Sequence, residues 1–443
     1  MKTVRNLIVL ALLALVLLGT CSNGTTEDRS EDDDPDAFVG GTGTPSTLWY
    51  TANPGAANFT ISNADELAGL AKLVNDGTEL FYAKTITLAV NLNLSAYSGG
   101  QGWTPIGRDI TKPFSGTFDG QGKIISGLFI NTDEDYAGLF GFIDSAEIRN
   151  LGIINADISA QKGVGILVSG ATSSIISNCY ATGNVSGFQF TGGLIGLIAL
   201  STVTNCHAEA KVSGLAVPPG ESLFIGGLVG AAEGGTIINC YATGAVNGDR
   251  YVGGLVGYGV LSVNINNCYA TGALDGRGGL DGTGYAGGLA GAFEGGNINN
   301  CYATGAVRST DNAGGLVGAI TGSSTMKYCF ALNLGIDRRL LIIFGNNFGK
   351  VAGLYDSGME EMLSANFAYA MNLPTPMPVL LGHHGFPLPV TKNMTKNPNT
   401  YSALWSFGND DDNPWKMGND AYPLPVLYWQ DEASYPVLPE HLK

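Results

Sequence analysis

Most of the chain alternates short apolar runs with single glycines and asparagines, and no run in its middle has helical period. Around residues 254–274, Gly254–Val256, 263–270 and 273–274 are short stretches with recurring apolar residues, punctuated by Gly and Asn. Three such stretches recur every 27–34 residues, a period that reads as three strands per coil of a stacked parallel β-solenoid. One coil cannot bury its apolar face alone, whereas stacked coils share a core. A propeller is the weaker alternative, because its blades need about 40 residues or more.

Two blocks recur in phase. The first is Gly-Leu-apolar-Gly, at Gly138-Leu139-Phe140-Gly141, Gly193-Leu194-Ile195-Gly196, Gly227-Leu228-Val229-Gly230, Gly254-Leu255-Val256-Gly257 and Gly315-Leu316-Val317-Gly318. Gly288-Leu289-Ala290-Gly291 is a variant and Gly165-Ile166-Leu167-Val168 a decayed copy. The second, Asn-Cys-Tyr-Ala-Thr-Gly, starts at Asn178, Asn239, Asn267 and Asn300 and is degraded around Cys206 and Cys329. The cysteines at 179, 206, 240, 268, 301 and 329 are 27, 34, 28, 33 and 28 residues apart, so a short and a long coil alternate. The extra length falls after the Val or Leu that ends the second block. It gives long connections at 213–224 and 275–285 and short ones at 186–191, 247–251 and 308–312. Insertions on one flank of a solenoid gather on one face, often the binding face.

This pattern resembles the GLUG-motif repeat proteins, which include bacterial surface lipoproteins and the repeat region of some immunoglobulin A-cleaving metallopeptidases. The resemblance covers about residues 114–335. The leader at 114–122 (FSGTFDGQG) and the ending at 415–429 are also similar to segments of such arrays. The fold expected is all-β: a right-handed parallel β-solenoid (β-helix) of about nine coils with helical or irregular caps at both ends.

Stacking turns equivalent residues into ladders. Three positions before each Cys stand Ile176, Val203, Ile237, Ile265, Ile298 and Met326, and two positions after it always Ala. These positions have opposite parity, so a bend must lie between them. Asn178, Asn205, Asn239, Asn267 and Asn300 occupy the corner, since Asn tolerates left-handed geometry and its amide can bond its neighbours in the stack. Cys and Ala then face the core. Tyr180, Tyr241, Tyr269 and Tyr302 point outward with His207 and Phe330 in the same column, and are the candidate binding residues, because aromatic faces favour contact with sugars and apolar groups. The competing reading is that they merely cover the rod. Stacked cysteines have parallel Cβ bonds, whereas a disulfide needs a dihedral near 90°, so free buried thiols are expected.

Outside the array, Ser62-Asn63-Ala64-Asp65 should start a helix with Leu67, Leu70, Leu73 and Val74 on its apolar face. Ser357 with Glu360 should start another carrying Met359, Met362, Leu363 and Phe367. The Pro-rich remainder should form an irregular cap or small module. At the other end Lys2, Arg5 and the apolar residues 7–18 read as a signal peptide, too short to span a bilayer. Leu18-Gly19-Thr20-Cys21 resembles a bacterial lipobox, which implies lipidation of Cys21. Thr20 stands where a smaller residue is usual, which leaves ordinary cleavage as the alternative. The domain plan is therefore a signal peptide at 1–20, an acidic tether at 21–46 and an N-terminal cap at 47–113. The solenoid follows at 114–345 and a C-terminal cap at 346–443.

Composition narrows the chemistry. With 22 Lys and Arg against 38 Asp and Glu the net charge is −16, which argues against a nucleic-acid partner. Gly, at 65 residues, excludes heptad coiled coils. No His-Glu pair exists, so the zinc motif of the peptidases does not carry over. Asn131-Thr132-Asp133, His383-His384 and Asp410-Asp411 mimic polygalacturonase motifs but in the wrong order and far apart in sequence. The acidic runs at 409–413 and 275–281 read as solvated turns rather than calcium sites, and no metal or cofactor is expected. The expectation is a non-enzymatic, lipid-anchored protein of the cell surface or outer membrane that presents a rigid scaffold to a glycan or a host or matrix protein. The alternatives are a polysaccharide-degrading β-helix enzyme and a purely structural envelope lipoprotein.

Overall fold

A computed structural model describes residues 37–215, 222–278, 283–338, 348–356, 363, 365–369, 388–402 and 404–443. Cys21, the signal and tether segments, His383-His384, the start of the second expected helix, and the middles of both long connections lie outside these residues.

The described strands from Phe38 to Val390 stack as parallel β-rungs, and beyond them Trp415–Met417 pairs antiparallel with Pro425–Leu427. Each coil pairs in register with the next: Ile175↔Thr202↔Thr236↔Asn264↔Asn297↔Thr325 on one strand, and Tyr180↔His207↔Tyr241↔Tyr269↔Tyr302↔Phe330↔Phe367 on another. A separate seven-stranded sheet, from Lys162–Gly165 to Phe348–Gly349, is formed by the strands that lead into each Gly-Leu-x-Gly block.

The glycines of that block are steric requirements. Its Leu residues, Leu194, Leu228, Leu255, Leu289 and Leu316, are fully buried. The chain reverses around them so tightly that strands from the two sheets touch backbone to backbone. A Cβ on Gly254 would collide with the Gly288 carbonyl of the next coil. One on Gly257 would stand 2.5 Å from the Gly230 carbonyl and from the Ile225 nitrogen. Any side chain would push the coils apart.

The corner before each Cys is as the sequence implies. Asn178, Asn205, Asn239, Asn267 and Asn300 all have φ of 52–54°. Asn239, Asn267 and Asn300 form an amide ladder, with Asn267 Nδ2 donating to Asn239 Oδ1 and Asn300 Nδ2 to Asn267 Oδ1, both at 3.2 Å, while Asn205 turns its amide to Asp411 instead. Toward the N-terminus Asn178 donates to Asn150, and Asn150 to Oδ1 of Asp119 at 3.1 Å. The Asp of the leader therefore ends this separate N-terminal run of amides with an acceptor. Burial pushes its carboxyl up, but donors from Gln121, Asn150 and Arg149 outweigh this and hold it below the usual range.

The six array cysteines are free and buried. Each thiol donates to the carbonyl two residues before it, as Cys240 Sγ does to Ile238 O at 3.1 Å. Burial raises the thiols of Cys179, Cys240 and Cys301, so they stay protonated.

The helix Ala64–Asp76 forms where expected, with Leu67, Leu70, Leu73 and Val74 buried. Asn63 caps it by accepting from Glu66 N, and Glu66 accepts from Ser62 N at 2.7 Å. It is an excursion between the paired strands Asn58–Ile61 and Thr85–Leu88. Phe367, expected on a helical stripe, instead lies in the strand Phe367–Tyr369 and stacks on Phe330 at 4.4 Å. The register of the array continues through Phe367 and Ala368, which pair with Phe330 and Ala331.

Candidate functional site

The outward aromatic column is built as expected, and most of it is covered. Tyr180, His207, Tyr241, Tyr269 and Tyr302 stack at 4.5–5.0 Å with their rings within 8° of parallel. Tyr241, Tyr269 and Tyr302 are nevertheless fully buried, because the C-terminal segment folds back along this flank. Trp429 packs on His207 and Tyr241, Trp415 on Tyr269 and Tyr302, and Trp405 on Tyr302 and Phe330. Tyr269 donates to Gln430 Oε1 at 2.6 Å and Tyr302 to the Pro425 carbonyl at 2.8 Å. These three tyrosines form a second hydrophobic core and are not a ligand surface. Only Tyr180 and His207 remain half-buried. Burial lowers the His207 imidazole from 6.5 to about 4, so it is neutral at physiological pH.

The same fold-back brings residues together that lie far apart in sequence. Asn205 donates to Asp411 Oδ1 at 3.4 Å although 206 residues separate them. Asp411 also accepts from Tyr428, and Asp410 closes a turn onto Asn413, so this acidic run is occupied with local structure. No cluster of three or more potential metal-ligating side chains occurs among the described residues.

A second aromatic ladder, missed in the sequence, lies on the corner where the connections end. Phe190, Phe224, Tyr251 and Tyr285 occupy successive rungs of the seven-stranded sheet, with ring centroids 5.0–5.5 Å apart. Each stands three residues before the first Gly of a Gly-Leu-x-Gly block, a regularity visible in the sequence once that block is the ruler. Tyr258, on the facing strand, tilts onto Phe224 and Tyr251 at 5.2 and 5.4 Å and donates to Glu294 at 2.9 Å. Burial and that carboxylate push its hydroxyl up to about 12. All five rings are half-buried.

This ladder stands at the mouths of the long connections, which end at Phe224 and Tyr285. Their bases are fastened by aspartates of the short coils. Asp249 Oδ2 accepts from Ser222 N at 2.8 Å and Oγ at 2.9 Å, while its Oδ1 pairs with Arg277 Nε at 2.8 Å. Asp311 Oδ2 accepts from Gly284 N at 2.8 Å. Beneath lies a small separate core of Val212, Ile225, Val246, Val252, Leu274 and Val307.

At the N-terminal end of the same column the register passes through Gly163 to Tyr136. Tyr136 borders a groove of about 420 Å³ with Trp103, Arg108, Glu134, Asp135 and Phe142. Ladder and groove thus share one corner of the solenoid.

The GLUG motif model matches residues 225–247 and 282–308. These two segments carry the GLUG motif. The chain is 34% identical over 165 residues to halomucin of Haloquadratum walsbyi, covering 35% of this chain and 2% of that protein. It is also 34% identical over 141 residues to a proposed Gly-rich membrane protein of Evansella cellulosilytica, covering 31% of this chain and 14% of the other. It therefore spans a small fraction of these relatives. Among solved structures, a proposed immunoglobulin A1 protease from Bacteroides ovatus aligns over 84% of this chain and 93% of its own, at 20% identity and a TM-score of 0.48. An IgA1 protease aligns over 76% of this chain and 26% of its own, at 18% identity and a TM-score of 0.43.

Proposed function

We propose that this chain is a non-enzymatic, lipid-anchored surface protein whose GLUG solenoid is a rigid scaffold for binding a glycan or a host or matrix protein. The observation that carries the reading is the half-exposed ladder of Phe190, Phe224, Tyr251 and Tyr285 at the mouths of connections fastened by Asp249 and Asp311. A column of large aromatic rings only partly buried on one corner, beside insertions that recur with the repeat, is a surface suited to binding. The Tyr column, by contrast, is occupied in holding the C-terminal segment. The names of the relatives, a mucin-like one and a membrane protein, fit a surface location. Cys21 would supply the anchor, and two or more acyl chains would hold it far better than one.

The test is a screen of glycans and matrix proteins against the full chain, with hydrolase and lyase activity assayed on the same glycans. Shortening connections 213–224 and 275–285 to the length of 247–251 should leave the fold intact and weaken any ligand found by about tenfold or more. Cys21→Ala should move the protein from membranes to the soluble fraction. Turnover of a screened glycan, or a variant that stays in the membrane fraction, would overturn the respective half of the reading.

A further inference from the structure

A ligand assigned to the groove at the N-terminal end of the aromatic corner deepens the reading of the chain as a binding protein, and rests on it. The floor of the groove is Trp103, 3% exposed, whose indole N–H donates to the Leu139 carbonyl at 3.1 Å. Its wall is Tyr136, 39% exposed, with Phe142 tilted against it at 4.5 Å between centroids. Tyr136 has φ +72°, a conformation that a bulky residue adopts only at a cost. Backbone bonds hold it there, from Tyr136 N to Lys162 O at 2.5 Å and from Ala137 N to Gly163 O at 2.9 Å. Glycine would occupy this position with less strain, and the protein places an exposed phenol ring there instead.

The polar groups around the ring are uncommitted. Among the described residues, the side chains of Arg108, Glu134 and Asp135 make no hydrogen bond or ion pair. Asp109 is different: its carboxylate accepts from Thr111 N and Oγ1, both at 2.9 Å, and shapes the rim. Three backbone N–H groups of the groove are committed to its own strands. Trp103 N donates to Phe129 O, Asn131 N to Gln101 O, and Ile106 N to Leu139 O.

We propose that this groove binds the end of a neutral oligosaccharide, with a pyranose ring packed against Tyr136. Sugar hydroxyls both donate and accept, so they match a guanidinium set beside two carboxylates, while the C–H face of the ring matches an aromatic wall. Three carboxylates against one guanidinium disfavour uronic or sulfated sugars. The volume lies within the range of small-ligand sites.

The test uses the full chain in detergent micelles and calorimetry. The probes are the tetrasaccharides of cellulose, starch, chitin and mannan, together with Lys-rich and Pro-rich tetrapeptides. One or more tetrasaccharides should bind. Tyr136→Gly, which removes the ring and relieves the backbone, should melt no lower than wild type and weaken that binding by about tenfold or more. Arg108→Ala should weaken it as well. Binding that survives both substitutions overturns the proposal. So does tetrapeptide binding that both abolish, and so does no tetrasaccharide binding up to about 10 mM. If binding persists in Tyr136→Gly but falls when connections 213–224 and 275–285 are shortened, the groove assignment fails and the broader binding role stands.

Discussion

His207 makes an acid-sensitive joint in the aromatic column. It replaces the Tyr of its neighbours, lies between Tyr180 at 5.0 Å and Tyr241 at 4.5 Å, and is overlaid by Trp429 at 5.8 Å. Burial lowers its pKa from 6.5 to about 4. A base whose folded pKa is depressed binds fewer protons folded than unfolded, so its neutral form contributes stability that is lost as pH falls from 6.5 toward 4. Two-state linkage with those values gives a loss of about 2 kcal/mol between pH 7.5 and pH 5. The surrounding rings pull the other way, because an imidazolium gains about 0.5–1 kcal/mol from a stacked aromatic face. The net loss expected is therefore about 1–2 kcal/mol. The perturbation is His207→Tyr, which completes the column with a group that does not titrate in this range. Urea unfolding of both proteins at pH 7.5 and pH 5 should show wild type losing that much more than the variant. The imidazole signal missing from the variant should titrate near pH 4 in the wild-type NMR spectrum. A stability difference between the two proteins that is the same at both pH values, or a His207 titration near 6.5, would refute the reasoning.

Two further outcomes follow from the packing. Tyr269→Ala removes a fully buried ring and the donor to Gln430, so it should cost about 3–5 kcal/mol. It should also expose the segment after residue 388 to limited proteolysis, and wild-type protection of that segment would show that Tyr269 does not hold it. Gly254→Ala drives a Cβ into the Gly288 carbonyl and should cost about 1–3 kcal/mol or more by chemical denaturation. Gly99→Ala, with nothing within 4 Å of the added carbon, should be near neutral, and equal effects at the two sites would remove the steric account of the motif.

The architecture of the array was legible before any coordinate. In a parallel stack each residue meets its own equivalents one coil away, so a period read along the chain is already a list of contacts. That is why the Asn corner, the inward Cys and Ala, the free thiols and the shared corner of the long connections could all be read from the repeat. The second aromatic ladder obeyed the same rule and was overlooked only because Phe190, Phe224, Tyr251 and Tyr285 differ in identity. Which outward surface stays open was settled by the folded chain. Periodicity gives the direction of a side chain and says nothing about a non-repeating segment that docks on it. Trp405, Trp415 and Trp429 share no register with Tyr241, Tyr269 and Tyr302, and reach them only because the chain reverses along the rod. The groove has the same origin. Trp103 and Arg108 come from an irregular stretch before the array, and Glu134 and Tyr136 from its first turn. Burying apolar area drives such docking without direction or period, so it leaves no repeat for a sequence to display.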